Sequence, residues 1–271
     1  MIHIYQSHQD NTYLINNIFP EHTKIISQYK QSNKDILSKV QPNGLFIFHI
    51  DLTCDESYYQ DKQDLIKHLK ILNMTMLNQH MNDISKKHIQ QCCRDININS
   101  VTTTQFEDDE ELCIIKSNLN CNGIPEGKNI IYSVLPKKQI TEHEWNNSEL
   151  VVEKFIQNKR NIFYRIYKSI NRLVISEVVD QKLIKKMPRG VKRVNSFVNL
   201  REDWSNHKFY KIIKQIRDLS IYMKIDFGTF DVVMSDTQDY YIVDVNKTPY
   251  WGEITNIDNI ELIHFLSGCL V

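Results

Sequence analysis

Two short β-type runs near the carboxyl end of the chain, residues 229–234 and 240–245, constrain the fold more than any other feature. A polar turn of five residues (SDTQD) separates them, and this pattern is typical of a β-hairpin. Asp244 and Asn246 are two residues apart on the second run, so their side chains project from the same face of the strand. The chain is therefore expected to contain a sheet with one polar face at this hairpin.

The register of this hairpin decides how its acidic residues meet. A symmetric closure, with Met234 opposite Tyr241, would place Asp231 directly opposite Asp244. Two like charges that face each other across a strand pair destabilise it, so a cation is expected to offset their repulsion. Two carboxylates and the Asn246 amide oxygen are hard ligands suited to Mg²⁺. The alternative is a plain polar outer face of an edge hairpin.

The charge balance restricts the class of partner. Lys plus Arg and Asp plus Glu each number 33, so no overall field favours nucleic acid or an anionic membrane. Locally, residues 106–112 (FEDDEEL) are acidic and residues 182–193 (KLIKKMPRGVKR) are basic. Solvated loops explain both runs, and the basic run would equally suit an anionic substrate.

Cysteine usage and the first residues indicate the compartment. The six cysteines include no C-x-x-C pair, and a disulfide between the adjacent Cys92 and Cys93 is disfavoured. This pattern predicts reduced thiols and no zinc site. The first ten residues lack a basic segment followed by an apolar one, and no apolar run reaches membrane-spanning length. We therefore expect a soluble, cytoplasmic protein.

The order of predicted elements is that of an α+β protein. Residues 1–6 alternate in strand fashion, and the apolar run 44–50 is typical of a buried strand. Residues 60–72 carry an apolar helical stripe, and a further helix is predicted over residues 83–94 with Asn82 as its cap. Further strands are predicted over residues 112–116, 129–134, 149–156, 160–170 and 173–179, and an amphipathic helix over residues 207–223.

Four features follow one another in an order that resembles one enzyme family. They are a helix with Lys86 and Lys87, a strand that ends in Lys116 before a polar loop, the segment 151–156 (VVEKFI) and the D…D-x-N hairpin. In this order they resemble the ATP-grasp superfamily of carboxylate ligases. That superfamily includes D-alanine–D-alanine ligases, glutathione synthetases and peptide-tail glutamate ligases. The resemblance covers about residues 86–252.

The resemblance implies a fold and a domain organisation. Two α+β lobes of an ATP-grasp fold would grip ATP, and a small α/β domain would precede them. The expected units are an N-terminal domain over residues 1–82, a central lobe over residues 83–156 and a C-terminal lobe over residues 157–271.

The resemblance also implies a nucleotide site. Lys116 would contact the phosphates together with Lys86 or Lys87, between which the sequence does not choose. The loop of residues 117–123 would close over the phosphates, with Ser117, Asn118 and Gly123 among its residues. The backbone of Lys154 and Ile156 would bind the adenine edge, in a hinge that also includes Glu153 and Phe155, and Asn158 stands where an acidic residue commonly meets the ribose.

The remaining carried-over positions concern the reaction itself. Arg165 matches the family's arginine that faces the transferred phosphate. Asp231, Asp244 and Asn246 would hold Mg²⁺, two ions in number, with Mn²⁺ as a substitute. Arg193 and Asn195 resemble an R-x-N element of some peptide-tail ligases, and Tyr250 and Trp251 are candidates for lining the acceptor site.

The implied activity is the joining of a carboxylate to an amine, with ATP and Mg²⁺ activating the carboxylate as an acyl phosphate. The substrates, small molecules or peptides, are not identified by the sequence. A phosphotransferase that passes the γ-phosphate to a hydroxyl is one alternative. A nucleotide-binding regulatory module without turnover is another, because the loop SNLNCNG has only one glycine. Members of the family often dimerise, so a homodimer is one expected assembly.

Overall fold

Three β-sheets, each formed by a separate stretch of the chain, organise the described part of the protein. The structure is a computed structural model, and it describes residues 1–6, 13–26, 32–50, 58–80, 83–106, 110–119, 133–179, 193–249 and 257–268. Among the helices within these ranges, none combines the length and the apolarity needed to cross a membrane.

The first sheet is parallel and has the strand order β2-β1-β3-β4. Its strands are β1 (Ile2–Gln6), β2 (Thr23–Ile26), β3 (Leu45–His49) and β4 (Thr75–Leu77), and its helices are α1 (Leu14–Ile18), α2 (Asn33–Leu37) and α3 (Tyr58–Ile71). Every residue of β3 is buried, as expected for a strand of a parallel sheet covered on both faces. The two strands and the helix predicted in this region are therefore confirmed.

The second sheet is antiparallel and has the order β6-β5-β7. Its strands are β5 (Leu112–Ser117), β6 (Ser133–Pro136) and β7 (Leu150–Lys154), with the short helix α5 (Glu142–Asn146) before β7. A capping box starts this helix, since Thr141 accepts a hydrogen bond from the Glu144 N–H and the Glu144 carboxylate accepts one from the Thr141 N–H. The strands predicted at residues 112–116 and 149–156 are present, and residues 129–132 lie outside the described ranges.

The third sheet is antiparallel and has the order β10-β9-β8-β11-β12. Its strands are β8 (Ile162–Ser169), β9 (Arg172–Val179), β10 (Arg193–Asn199), β11 (Phe227–Met234) and β12 (Tyr240–Asn246), and the helices around it are α4 (Lys86–Asp95), α6 (Tyr210–Met223) and α7 (Ile257–Ser267). The predicted hairpin of β8 and β9 is confirmed, with Ile170 and Asn171 as its turn.

Different elements cover the two faces of the five-stranded sheet. Tyr164 and Ile166 of β8 belong to the apolar core that includes residues of α4 and α6. Tyr167 belongs instead to a core that includes Leu262 of α7 and residues of the first sheet. Because side chains alternate along a strand, Arg165 projects from the same face as Tyr167, away from α6.

Two helices begin later than the sequence predicts. Helix α4 starts at Lys86, because the Ser85 hydroxyl accepts a hydrogen bond from the His88 N–H at 3.3 Å and makes Ser85 the N-cap. Asn82, the predicted cap, lies outside the described residues. Helix α6 starts at Tyr210 rather than near residue 207. Helix α4 packs against β12 and α6. The domain boundaries expected from the sequence remain a prediction.

His49, at the end of β3, is a buried histidine with no polar partner. The residue is 1 % exposed, and within the described residues neither ring nitrogen has a hydrogen-bond partner. Its ring packs edge-on against Tyr13, with the two centroids 4.8 Å apart. Burial, and then the charge of Lys247, lower the pKa of His49 to about 3.

This histidine predicts how stability depends on pH. Between the unfolded pKa of 6.5 and the folded pKa of about 3, only the unfolded chain binds a proton at His49. The contribution of the neutral His49 to stability is therefore complete above pH 6.5 and is lost as the pH falls below that value. We expect the free energy of unfolding to drop by about 2 kcal/mol more in wild type than in His49→Phe between about pH 6.5 and about pH 5. Urea unfolding of both proteins measures this, and equal pH slopes would contradict the assignment.

Candidate functional site

A row of polar side chains crosses all five strands of the third sheet. Asn195 pairs with Ser176, Ser176 with Arg165, Arg165 with Asp231, and Asp231 with Asp244 in the strand register. Neighbouring strands lie only about 5 Å apart, so a polar residue at one register position places its side chain beside those of the next strands. The row gathers two carboxylates, a guanidinium and an amide on one face of the sheet.

Arg165 and Asp231 form a bidentate ion pair at the centre of this row. Arg165 Nε donates to Asp231 Oδ1 and Nη2 donates to Oδ2, each at 2.7 Å. Burial lowers the pKa of Arg165, but the Asp231 carboxylate more than offsets this effect and the net change is upward. Arg165 therefore offsets the charge of one of the two facing acids, and the bidentate geometry fixes the direction of its guanidinium.

The facing of Asp231 and Asp244 is confirmed, but its predicted route is wrong. Met234 lies opposite Tyr240 rather than Tyr241, so the hairpin is one residue out of the assumed register at its turn. A β-bulge between the turn and the acids, with Val243 as the extra residue, restores the pairing. Turn chemistry sets the register near the turn, and the bulge sets it again at the acids.

The bulge also joins the second sheet to the third. Lys116, at the end of β5, donates from Nζ to the Val243 carbonyl oxygen at 3.0 Å. The same ammonium lies 2.6 Å from Glu153 Oε2, and both side chains are almost completely buried, 9 % and 2 % exposed. Burial raises the pKa of Glu153, and the charge of Lys116 offsets part of that change. Lys116 is therefore a buried cation that contacts both Glu153 of β7 and the β11–β12 hairpin.

Lys86 and Lys87 point to different places. Lys86 is 8 % exposed, and its Nζ lies 3.6 Å from Asp244 Oδ1 and 3.4 Å from the Leu119 carbonyl oxygen. Lys87 is exposed, and its Nζ donates to the Asn147 carbonyl oxygen at 3.5 Å. Of the two lysines between which the sequence does not choose, Lys86 is the one beside the paired acids. Its contact with phosphate remains a prediction.

The acidic hairpin has the donor atoms for a divalent cation. Burial raises the pKa of Asp244, Lys86 lowers it, and the facing Asp231 raises it again. The Asp244 Oδ1 atom is buried and, within the described residues, accepts no hydrogen bond. Each Asp231 oxygen accepts one bond from Arg165, which leaves lone pairs on the carboxylate. These oxygens fit Mg²⁺, whose preferred ligands are carboxylates.

Asn246 completes this set less freely. Its Oδ1 atom accepts hydrogen bonds from the Thr248 N–H at 2.8 Å and from the Thr248 hydroxyl at 3.3 Å. A metal at this oxygen would replace the longer contact. The described residues contain no group of three His, Cys, Asp or Glu side chains arranged for a metal ion, so the expected site depends on this amide.

In the predicted adenine hinge, the N–H groups of Lys154 and Phe155 have partners within the described part of the protein and that of Ile156 does not. The Lys154 N–H donates to the Val101 carbonyl oxygen and the Phe155 N–H to that of Leu112, each at 2.8 Å. Within the described residues the Ile156 N–H makes no backbone hydrogen bond, so it is able to bind a ligand. The predicted adenine contacts are therefore those of the Lys154 carbonyl oxygen and the Ile156 N–H.

The predicted ribose contact has a local structural role. The Asn158 amide donates to the carbonyl oxygen of Ile162 and accepts from its N–H, so it closes the turn that leads into β8. Nothing in these contacts directs the side chain towards a ligand, and the ribose contact remains a prediction.

The described part of the predicted phosphate loop makes hydrogen bonds to the start of helix α4. The Asn118 carbonyl oxygen accepts from the Lys86 N–H at 2.9 Å, and Asn118 Oδ1 accepts from the Lys87 N–H at 3.0 Å. The Ser117 hydroxyl donates to the Leu119 carbonyl oxygen. These bonds satisfy donors that a helix N-terminus leaves unpaired. Gly123 and the rest of the loop lie outside the described residues.

The R-x-N element forms the start of the edge strand β10. Asn195 Oδ1 accepts from the Ser176 hydroxyl at 2.6 Å, which brings it into the polar row, and Arg193 lies two residues away. Ser176 is the residue that sequence reasoning missed. Its signal was a polar side chain directly after the apolar run Leu173–Ile175 of β9. Tyr250 and Trp251 lie outside the described residues, as do residues 182–192 of the basic run.

Solved structures share this arrangement of sheets over nearly the whole chain. The Chryseobacterium gregarium RiPP-associated ATP-grasp ligase, in complex with ADP and a leader and core peptide, aligns over 99 % of this chain and 96 % of its own, at 12 % identity and a TM-score of 0.61. The macrocyclase MdnC from Microcystis aeruginosa MRC, bound with precursor peptide MdnA, aligns over 100 % and 99 %, at 12 % identity and a TM-score of 0.54.

A third similar solved structure is that of another kind of ligase. The D-alanine–D-alanine ligase from Bacillus anthracis aligns over 99 % of this chain and 94 % of its own, at 12 % identity and a TM-score of 0.53. No protein-family model and no curated protein sequence matches the chain. At such low identity the similarity concerns the fold alone. This fold is the one that the order of motifs in the sequence predicts. The chain has the fold of the ATP-grasp superfamily.

Proposed function

We propose that the protein is an ATP-dependent ligase that activates a carboxylate as an acyl phosphate and joins it to an amine. The observation that carries the proposal is the convergence of Lys116 and Lys86, from two elements outside the five-stranded sheet, on the strand that bears Asp244. Phosphoryl transfer requires charge compensation around phosphate oxygens more than covalent help from the protein. Lysines and an arginine beside paired carboxylates supply that compensation.

In the proposed reaction, an oxygen of the substrate carboxylate attacks the γ-phosphorus of ATP. The bond between that phosphorus and the β–γ bridging oxygen breaks, and ADP leaves. The amine nitrogen then attacks the acyl carbon, loses a proton and expels inorganic phosphate. Arg165, held in place by Asp231, would stabilise the negative charge on the phosphoryl group in transfer.

Carboxylates of the protein hold in place the two lysines that are proposed to bind phosphate. Lys116 rests against Glu153 and Lys86 rests near Asp244, so both ammonium groups are held where carboxylate oxygens already compensate them. Phosphate oxygens of ATP would compete with these carboxylates for the ammonium groups. Because little side-chain motion is needed, the cost in conformational entropy of forming the phosphate contacts is small.

Asp231, Asp244 and Asn246 would hold Mg²⁺ in this proposal. The metal would neutralise charge on the phosphate oxygens when it is bound. Asp244 is shorter than the glutamate that the family often has at this position, so its carboxylate must lie close to the ion. The Asp244 Oδ1 atom accepts no hydrogen bond within the described residues and has only Lys86 Nζ, 3.6 Å away, as a cationic neighbour, which supports a place for a cation on this side of the hairpin.

The substrates are proposed by class. Two of the structurally similar ligases are bound to peptides, which supports a peptide carboxylate or amine as substrate, and the similar D-alanine–D-alanine ligase supports small amino acids. The two classes share the reacting groups, so the residues of the polar row serve either one.

Hydroxylamine trapping tests the reaction class. We expect purified protein, incubated with Mg-ATP, hydroxylamine and a panel of amino acids and peptides, to release ADP and form a hydroxamate, because hydroxylamine attacks an acyl phosphate at its acyl carbon. The ferric-complex colour assay and mass spectrometry measure the product. Heat-treated protein and the variant Asp244→Ala serve as controls, and both should give no hydroxamate.

Two other outcomes would replace this proposal. A phosphoester formed from a hydroxyl compound, with ADP release but no hydroxamate, would identify a phosphotransferase. ATP binding without ADP release under every substrate mixture would identify a regulatory module.

A further inference from the structure

A cavity of about 450 Å³ lies on the α6 side of the five-stranded sheet. Its walls come from four places: the end of the first sheet at Gln79, the end of β8 with Lys168 and its turn into β9, the segment after β10 with Arg201, and the carboxyl end of α6 with Ser220 and Lys224. Lys168 is three residues from Arg165 on β8, so the two side chains project from opposite faces of the strand. The cavity is therefore separated from the polar row by the thickness of the sheet.

The walls of the cavity are strongly basic. Four long cations line it, on β8, after β10 and on α6: Lys168, Arg201, Arg217 and Lys224. One carboxylate, Asp226, stands against them, and its Oδ2 atom already accepts a hydrogen bond from the Asn78 N–H at 2.7 Å. The excess of positive charge in a concave, partly apolar surface concentrates field lines and attracts anions.

Contacts with other groups hold two of these cations in place. Lys168 Nζ donates to the carbonyl oxygens of Ile170 and Asp226, at 2.6 and 3.4 Å. Arg217 lies over the ring of Trp204 and pairs at 2.8 Å with Asp218, which offsets part of its charge. Fixed cations lose less entropy on binding an anion than mobile ones do.

The carbonyl groups at the end of α6 do not oppose an anion strongly. The Lys224 N–H donates to the carbonyl oxygens of Ser220 and Ile221, and the Ile225 N–H donates to that of Ser220 at 2.8 Å. These bonds satisfy carbonyl groups that a helix C-terminus otherwise presents to its surroundings.

Two uncharged acceptors in the same walls have no partner. Gln79 Oε1 and Asn171 Oδ1 are buried and accept no hydrogen bond within the described residues. A buried acceptor without a partner costs free energy that a ligand hydroxyl would recover. The apolar side chains of Ile170, Ile221 and Ile225 leave room for a carbon skeleton, and the volume is within the range of small-molecule sites.

From this combination we infer that the cavity binds a small organic anion that also carries hydroxyl groups, at a site separate from the nucleotide site. The anionic group lies among the four cations, and the hydroxyl groups donate to Gln79 and Asn171. Because the walls belong to the first sheet, the third sheet and α6, the bound anion joins the N-terminal unit to the C-terminal lobe. This inference does not depend on the proposed ligase activity.

Calorimetric titration with D-ribose 5-phosphate as the probe tests the inference, with neutral D-ribose and inorganic phosphate as matched probes. We expect ribose 5-phosphate to bind more tightly than phosphate, and ribose not to bind. Saturating Mg-ATP is expected to leave the affinity for ribose 5-phosphate unchanged, because the two sites lie on opposite faces of the sheet.

Variants locate the binding. Lys224 has a left-handed backbone (φ 54°), which asparagine tolerates, so Lys224→Asn removes the charge without backbone strain. We expect it to weaken the probe about tenfold. The control Lys211→Asn removes an exposed lysine of the same helix outside the cavity and should have no effect. Ser220→Leu fills the cavity and should abolish binding while a thermal melt shows that the protein is folded.

Three results would overturn the inference. They are the absence of binding by both phosphate probes to wild type, displacement of the probe by Mg-ATP, and equal affinities of wild type, Lys224→Asn and Ser220→Leu. Binding that Lys211→Asn weakens as much as Lys224→Asn does would mean a diffuse surface effect rather than this cavity.

Discussion

The double variant Asp244→Ala/Asn246→Ala is expected to lose the Mg²⁺ dependence of ATP binding. In wild type, Mg²⁺ should raise ATP affinity by about a hundredfold or more, since a metal that bridges carboxylates and phosphates contributes several kcal/mol. In the variant, Lys116 and Lys86 remain as phosphate contacts, so ATP affinity without metal should persist. Calorimetric titration of ATP with and without Mg²⁺ measures both quantities.

A control within the same hairpin separates the metal ligands from acids in general. Asp239 lies at the turn, beyond the bulge, and its carboxylate accepts a hydrogen bond from the Thr237 hydroxyl at 2.9 Å. We expect Asp239→Ala to keep the wild-type response to Mg²⁺. If the double variant also keeps it, the acids of the hairpin are only a polar sheet face. If wild type binds no adenine nucleotide with Mg²⁺, the nucleotide assignment itself is wrong.

The variant Lys116→Met is expected to lose about 3–5 kcal/mol of stability, because it leaves a carboxylate buried without its cation. Glu153 is 2 % exposed on its side chain, Lys116 Nζ lies 2.6 Å from Oε2, and the other oxygen has no hydrogen-bond partner within the described residues. The double variant Lys116→Met/Glu153→Gln removes both charges and should recover most of that loss. Urea unfolding of wild type and the variants measures it.

The pH dependence of the stability of Lys116→Met tests this explanation independently. Burial raises the folded pKa of Glu153, so the stabilising term is complete below the unfolded pKa of 4.5 and is lost as pH rises through the folded value. Without Lys116 this loss should be larger than in wild type, so the deficit of the variant should grow from low to neutral pH. A deficit that is independent of pH would mean that packing, not charge, explains the effect.

Recovery of stability in the double variant is not expected to restore its ligase activity. Lys116→Met/Glu153→Gln should be folded and still fail to form hydroxamate, because the ammonium that would compensate phosphate charge is absent. A double variant with wild-type turnover would exclude Lys116 from the reaction.

Much of the fold was predictable because its local patterns agree with its tertiary contacts. The run of β3 is apolar throughout, as a buried parallel strand requires, and β8 and β9 are separated by a short polar turn. Helix starts were predicted less well. Asn82 and Ser85 are both good N-cap residues, and the contacts of Asn118 with the first turn of α4 favour the later start. Such long-range contacts are not visible in a local pattern.

The candidate site was predictable in its residue types but not in its resting contacts. A cation within a β-strand generally needs a partner, and the structure identifies the partner of Arg165 as Asp231. The sequence could not assign Lys86 to Asp244, since that contact depends on α4 packing against β12. The register of the hairpin is the clearest case, because the sequence does not show at which position a ladder takes up an extra residue.

The bulge at Val243 has a consequence for how this hairpin tolerates change in length. In an uninterrupted ladder, a one-residue insertion or deletion near the turn would rotate Asp244 to the opposite face of the sheet and break its pairing with Asp231. A bulge already accommodates one unmatched residue, so a length change there is absorbed by forming, removing or moving the bulge. Homologues are therefore free to vary the loop between these strands by a residue while they keep the facing acids in register.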